Sequence, residues 1–472
     1  MAPAWTSAGL DLQIETSRSR RRASLEESLR EAIQTRRLAA GTALPSTRVL
    51  ARDLGLSRGT VIAAYDQLTA EGYLQAQRGA GTRVADLGPA PGPTPPRHRA
   101  APPRWDLRPG TPDVGSFPVA AWSRCLRQAL NRAPSDVFGY GDRHGTLALR
   151  RELVGYLGRT RGVRADPEQV VITNGSTEAL SLLGRALADT GTSETAMEDP
   201  GFIFHREVVR RSGQAVLPLA VDGDGARVED LGERPELRGV RAVVLTPAHQ
   251  YPTGATLAPH RRQALAAWAR QVDGLIIEDD YDGEFRYDGQ PIGSIQGVAP
   301  EHVAYTGTAS KALGPGLRLG WVVLPHRLVE SMLVAKGFAS RGTEVVAQLA
   351  LAELIAGHGY DRQVRRMRNR YRQRRDLLTT ALAPLRERGL PPPQGISAGL
   401  QLLVPLPADG PSEREVVERA AAQGLALEGL AWHWHTGTAP RHGLVIGFSR
   451  PPETAYPTAV AALVRVLAQT LA

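Results

Sequence analysis

Cysteine is almost missing from these 472 residues: Cys125 stands alone. A single thiol excludes an internal disulfide framework and fits a reducing compartment. Long apolar runs are missing too. None approaches the ~18 residues of a membrane span, and the N-terminus has no apolar core of a secretory signal, so a cytoplasmic protein is expected. Lysine is the third scarcity, since of 57 basic residues only Lys311 and Lys336 are lysines. The remainder is ordinary globular material, with 42% hydrophobic and 22% charged residues. A chain of this length suggests roughly three domains. The formal net charge of +9 is compatible with an anionic partner and equally with solubility alone.

A chain that writes its positive charge as arginine has kept an amine at Lys311, and the two side chains differ in one respect that matters. A guanidinium is never deprotonated in a protein, whereas a desolvated ammonium is, and the neutral amine attacks aldehydes to form a Schiff base. The surroundings, Thr306-Gly-Thr-Ala-Ser-Lys-Ala-Leu-Gly-Pro-Gly-Leu-Arg318, suit a phosphate-bearing aldehyde. Thr308 and Ser310 supply hydroxyls and Arg318 a guanidinium. Lys336, in Val-Ala-Lys-Gly-Phe, has no such company and is expected to be a solvated charge.

Near the N-terminus, Ser24 caps a helical pattern with Leu25, Leu29, Ile33 and Leu38, Glu27 completing a capping box. Ser46, after Pro45, caps a short helix over Leu50, Ala51 and Leu54, which Gly55 closes. Ser57 caps a further helix with Val61, Tyr65 and Leu68 on one face. Two short helices around a glycine turn form a helix-turn-helix candidate, whose second helix presents Ser57, Arg58 and Thr60 to base edges and phosphates. A hairpin comes next, with Arg78, Gly79 and Gly81 at its tip and Val84 at its end. Seven prolines in the seventeen residues from Gly88 to Arg104 then preclude helix and interior strand and indicate an extended spacer.

The segment from 24 to 85 resembles the GntR-type winged helix. The resemblance lies in Leu44-Pro-Ser-Thr-Arg48, Leu56-Ser-Arg-Gly-Thr-Val61, Glu71-Gly-Tyr-Leu74 and Gly79-Ala-Gly-Thr82. It implies contacts to double-stranded operator DNA from Arg48, Arg58, Thr60 and the glycines of the wing. A winged helix that docks protein is the alternative.

Beyond the spacer, β-branched runs alternate with helical stretches, which indicates an α/β sheet with helices on its faces. Five loops succeed such strands in order. Asn174-Gly-Ser-Thr177 opens a helix and offers free N–H groups to a phosphate. Glu198-Asp-Pro-Gly-Phe202 sets an aromatic ring on a tight turn. Thr246 to Gly254 form a polar loop at a strand's carboxyl end. Glu278-Asp-Asp-Tyr-Asp282 brings four carboxylates behind a buried strand, for which a protonated ring nitrogen is one reason and a divalent metal, short of a nearby histidine, another. The Lys311 loop is the fifth. Together these supply what pyridoxal 5′-phosphate (PLP) requires.

Residues 105–472 resemble the fold-type I aminotransferases, with a mixed, mostly parallel sheet, and the whole chain resembles the MocR/GabR-type regulators. The resemblance implies Lys311 as the Schiff-base lysine, Asp279 as partner of the pyridine nitrogen, Tyr281 on the phenolic oxygen and Phe202 stacked on the ring. Gly175, Ser176, Thr177, Thr308, Ser310 and Arg318 match phosphate-binding positions. Tyr140 matches a residue offered to the neighbouring subunit, so a homodimer is implied. Two positions depart from the pattern. Tyr251 replaces an asparagine whose contact is lost or passes to Gln250 or His249. Val445 stands where an arginine usually holds the substrate carboxylate, leaving Arg441 or Arg450 as substitutes; Phe204 likewise replaces an arginine used by GABA-responsive members.

The expected domains are a mobile start (1–23), the winged helix (24–86), the linker (87–104) and the effector domain (105–472). The expected function is a PLP-dependent transcriptional regulator that senses PLP, an amine or an amino acid, with at most weak transaminase activity. An active aminotransferase with an accessory DNA-binding domain is the alternative, and a PLP-dependent scaffold for protein a third. The run from Asp361 to Asp376, with eight arginines and Val364, Met367 and Tyr371 at helical spacing, reads as a solvated amphipathic face or a docking surface for DNA or the other subunit's winged helix.

Overall fold

A computed structural model describes residues 21–77, 81–88, 102–289, 292–435 and 441–471. The chain divides into two compact units, residues 1–101 and 102–472. Arg78, Gly79 and most of the proline-rich segment lie outside the described residues.

In the first unit, helices α1 (Arg21–Gln34), α2 (Thr47–Asp53) and α3 (Arg58–Ala70) precede strands β1 (Leu74–Gln77) and β2 (Gly81–Val84), which pair antiparallel from Leu74↔Val84 to Gln77↔Gly81. The expected caps act on α2 and α3: Ser46 Oγ accepts from Val49 N at 3.3 Å and Ser57 Oγ from Thr60 N at 3.1 Å. These bonds satisfy N–H groups that a helix start leaves open. Gly55, at φ +63°, makes the left-handed turn between the helices without the strain a side chain would add. The first helix differs from expectation. It begins at Arg21, so Ser24 lies inside it; the Arg22–Glu26 ion pair at 2.9 Å, spaced i,i+4, supports the extra turn. Leu25, Leu29, Leu50, Val61, Leu68 and Leu74 are buried together as this unit's core.

The second unit is built on an eight-stranded sheet. Strand β3 (Trp105–Asp106) lies outside it; its members are β4 (Val170–Thr173), β5 (Glu194–Asp199), β6 (Ala215–Asp222), β7 (Gly225–Ala226), β8 (Ala242–Leu245), β9 (Leu275–Asp279), β10 (Val303–Thr308) and β11 (Gly320–Val323), in the order β4-β11-β10-β9-β8-β5-β6-β7. Pairs β10/β9, β9/β8, β8/β5 and β5/β6 are parallel. Strand β11 runs antiparallel to both its neighbours. Both faces are covered, which explains the uninterrupted apolar runs. Val170 and Ile172 belong to one buried cluster and Val171 to another; Val243 and Ile276 are likewise parted from Val244 and Ile277.

Strands β12 (Gln401–Pro405), β15 (Gly443–Gly447) and β14 (Glu428–Gly429) form a smaller antiparallel sheet, and β13 (Leu425–Ala426) pairs parallel with β3. Among the described residues no helix is long and apolar enough to cross a membrane. The large sheet gathers its loops on one side. Strands β4, β5, β8, β9 and β10 all end at one edge of the sheet, where ligands collect in open α/β sheets. Strand β11, being antiparallel, begins there, so Arg318 just before it reaches the same edge (Thr308↔Gly320↔Thr173).

Candidate functional site

In the first unit the second helix of the helix-turn-helix opens with exposed Arg58, and Arg48 is exposed on α2. Neither has a hydrogen bond or ion pair among the described residues. Ser57 and Thr60 are occupied with each other: their hydroxyl oxygens lie 2.7 Å apart. Gly81 (φ +83°) starts the second strand of the hairpin.

In the second unit a cavity of about 290 Å³ opens at the strand ends, lined by Ser176, Thr177, Phe202, Asp279, Tyr281, Thr308, Ser310, Lys311 and Arg318 together with residues that the sequence did not single out. Ser176 and Thr177 form the first turn of the helix Ser176–Asp189, whose open N–H groups favour an anion. Gly175, at φ +92°, turns the chain into that helix, and the Arg318 guanidinium lies 3.5 Å from where a Cβ on Gly175 would stand. Arg318 donates to the Asn174 carbonyl oxygen at 2.5 Å. Thr308 Oγ1 donates to Ser310 Oγ at 2.8 Å.

Lys311 Nζ donates to the carbonyl oxygen of Gly110 at 2.5 Å. Burial pulls its pKa below the usual ammonium value, against the opposing charges of Asp282 and Asp279. Asp279 is 4% exposed. Its carboxylate is held from two sides, by His205 Nδ1 at 3.2 Å and by Thr306 Oγ1, which donates at 3.3 Å. The Tyr281 hydroxyl accepts from Gln401 Nε2 at 2.7 Å and lies 3.1 Å from His249 Nδ1, itself 2.8 Å from Asp282 Oδ2. Burial, then the Asp282 charge, raises the Tyr281 phenol well above its ordinary value. Phe202 packs edge-on against His205 and Tyr251, with centroids 4.8 and 5.3 Å away.

Several expectations need correction. Gln250 does not line the cavity; its amide is 1% exposed and spent on the Pro200 and Tyr251 carbonyls at 2.9 and 2.6 Å, while its oxygen accepts from Thr253. Arg450 pairs with Asp106 at 2.5 Å and Arg441 is exposed, so neither replaces the missing arginine. Val445 is buried behind Tyr251 with Leu403 and Leu430. Lys336 is not a solvated charge but fully buried, donating to the Ile172 carbonyl and, at 2.7 Å, to Thr343 Oγ1. Burial lowers its pKa to about 8. Tyr140 is 85% exposed and outside the cavity, beside Arg341.

The carboxylate cluster gains two histidines, His205 and His249, that lie far from it in sequence. Even so, among the described residues no three His, Cys, Asp or Glu side chains are gathered as a metal site would need. The arginine-rich run is helical (Gly359–Leu382) with Val364, Met367 and Tyr371 buried as expected. Its face is only partly solvated: Arg374 is 5% exposed and Arg370 pairs with Asp113 at 2.8 Å.

Sequence reasoning missed His205, Glu198, Gly110 and Gln401. Glu198 was visible only as part of a turn, yet it lines the cavity and accepts from Thr246 Oγ1 at 2.6 Å. Burial pushes its pKa up to about 7. No local pattern marks the other three, because each reaches the site from a different segment.

The family described as aminotransferase class I and II matches residues 110–426, and that of bacterial regulatory proteins, gntR family, residues 21–84. The HTH-type pyridoxine biosynthesis transcriptional regulator PdxR of Corynebacterium glutamicum is 33% identical over 91% of this chain and 92% of its own length. The probable rhizopine catabolism regulatory protein MocR of Rhizobium meliloti is 34% identical over 90% of this chain and 89% of its own. Among solved structures, the kynurenine aminotransferase of Pyrococcus horikoshii, in complex with PMP, superposes with a TM-score of 0.69 at 26% identity, covering 77% of this chain and 90% of that one.

Proposed function

This chain belongs to the MocR-type transcriptional regulators, a GntR winged helix fused to an aminotransferase class I and II domain, and from that premise we propose that residues 24–86 bind operator DNA while residues 105–472 hold PLP and report on it. One observation carries the reading. A half-buried amine with lowered pKa, Lys311, lines one cavity with a buried carboxylate, Asp279, and a phosphate-sized set of hydroxyls, helix N–H groups and a guanidinium.

The donor set fits the cofactor. When bound, PLP supplies an aldehyde that condenses with amines and a pyridine ring that withdraws electrons. Lys311 offers the amine, made easier to deprotonate by burial and oriented by the Gly110 carbonyl. Asp279 offers a fixed negative charge to a protonated ring nitrogen, and His205 and Thr306 keep it in place. Tyr281 serves the phenolic oxygen, and Phe202 stacks on the ring. Gly175, Ser176, Thr177, Thr308, Ser310 and Arg318 seat the phosphate. Tyr140, exposed here, serves the partner subunit of a homodimer. Arg48, Ser57, Arg58, Thr60 and the wing contact DNA, with Arg58 aimed at base edges.

The effector is PLP itself or an amine. Arg318 is the only guanidinium lining the cavity among the described residues, and it belongs to the phosphate seat, so none is left for a substrate carboxylate. That argues against efficient transamination. For occupancy to change DNA binding, the ligand must favour one arrangement of the protein over another, since equal affinity shifts nothing.

The test is to saturate the full chain with PLP, reduce with borohydride and map the label. Label on Lys311, with the visible absorbance lost in Lys311→Ala, is the expected result. Label on Lys336, or a chromophore that survives Lys311→Ala, rejects the site. Sustained turnover with an amino donor would assign a working aminotransferase instead.

A further inference from the structure

A second cavity, of about 550 Å³, lies between the end of the helix Leu147–Arg161, the loop at Gly283-Glu284 and the start of the helix Gly359–Leu382. Its volume falls in the ~300–1,000 Å³ range of small-molecule sites. Unlike the first, it is dominated by guanidinium groups, and the charges around it do not balance. Arg161 is spent on Asp280, at 2.6 and 2.9 Å. Arg159 shares Asp361 with His358, at 3.6 and 3.5 Å. Arg365 has no partner among the described residues. Arg368 donates from Nε to the Glu284 carbonyl oxygen at 2.8 Å, and its terminal nitrogens have no acceptor among the described residues. The Glu284 carboxyl accepts from Tyr156 at 2.5 Å and Tyr360 at 3.4 Å, and burial pushes its pKa up to about 7, so near neutrality it is only partly ionised and offsets only part of this charge.

We infer that this cavity is a second ligand site, for a small anion bearing a carboxylate or phosphate group held by Arg365 and Arg368. Guanidinium groups that line one cavity without acceptors of their own are suited to bind such oxygens bidentately. The site is also wired to the first. A single segment contributes to both: Asp279 and Tyr281 line the cofactor cavity, whereas Gly283 and Glu284 line this one. Between them Asp280 is fixed by Arg161 and by the Tyr305 hydroxyl at 2.5 Å. Gly283 allows this, since a Cβ there would stand 2.0 Å from Asp280 and 2.5 Å from Arg161. An anion drawn in by Arg365 and Arg368 pulls on the Gly283-Glu284 end of the segment that carries Asp279. Binding at the two cavities is thereby coupled, reciprocally. This coupling, though not the binding itself, rests on the reading of the first cavity as the PLP site.

The experiment uses the full chain saturated with PLP, so that the phosphate seat is filled, and titrates it with inorganic phosphate and with succinate by calorimetry. The parent binds at least one of the two probes, and the better one identifies the head group. Arg365→Glu weakens that binding by about tenfold or more with cofactor absorbance unchanged; Arg365 is exposed, so the fold tolerates the change. Arg368→Gln repeats the loss in smaller degree, and Lys311→Ala keeps the anion binding. Movement of the visible band when the probe saturates supports the coupling. The proposal is overturned if neither probe binds the parent, if Arg365→Glu binds as well as the parent, or if Arg365→Glu weakens operator binding while leaving the anion untouched. A band indifferent to saturating probe overturns the coupling.

Discussion

The two ends of this chain prepare for ligands in opposite ways. In the winged helix, the arginines assigned to DNA, Arg48 and Arg58, stand in solvent without partners among the described residues, and the unit's core is mainly apolar packing. Around the cofactor cavity the central assigned side chains are buried or half-buried and already hold fixed partners: Asp279 is bonded to His205 and Thr306, Tyr281 to Gln401. A duplex is large and brings its own charge, so a surface needs only presented groups, and water solvates them until it arrives. A small cofactor must instead be met by groups whose desolvation has been compensated beforehand, because a buried charge without a partner is costly. Recognition and stability are therefore separable at the first site and entangled at the second.

That contrast can be broken by mutation. The largest effect is expected from Arg161→Ala, which strands the Asp280 carboxylate, 3% exposed at the side chain. Loss of one partner from a buried pair costs about 3–5 kcal/mol, and urea denaturation of the aminotransferase-like unit reads it; a loss below about 1 kcal/mol would mean the pair behaves as a surface one. Next comes Arg58→Ala. It should leave melting unchanged within about 0.5 kcal/mol while weakening operator binding by about 1–3 kcal/mol, measured by titration at fixed ionic strength. A large drop in stability there would erase the distinction.

The third effect concerns pH. Glu198 has a folded pKa of about 7 against an ordinary 4.5, so between those values the folded state binds the extra proton. Stability then falls as pH rises from about 4.5 through about 7, the reverse of a salt-bridged carboxylate. Melting temperatures across that range should decline less in Glu198→Gln than in the parent. An identical slope in both proteins would show that Glu198 titrates as an exposed acid does.

Much of the site was legible in the sequence, and the reason differs from piece to piece. Ser46 and Ser57 were readable because a cap acts on N–H groups three residues on. The strands were readable because two buried faces leave a short apolar run. Lys311 stood out because lysine is scarce. Ser24 misled, since an ion pair one turn earlier extended the helix past a good cap. Lys336 misled more seriously: a lone lysine is ordinarily solvated, and nothing nearby announces that Ile172 and Thr343 will accept its hydrogen bonds.

What the sequence determined by itself is whatever depends on neighbours along the chain: caps, turns, strand runs, the order of five loops, and hence the two folds and the PLP chemistry they suit. The tertiary structure decided the pairings across more than a hundred residues, among them Arg161 with Asp280, Gln401 with Tyr281 and Lys336 with Ile172, separated by 119, 120 and 164 positions. Buried polar groups must find partners wherever the packed sheet brings them. A sequence shows which groups need one, but only the closed fold shows which partner is within about 3 Å.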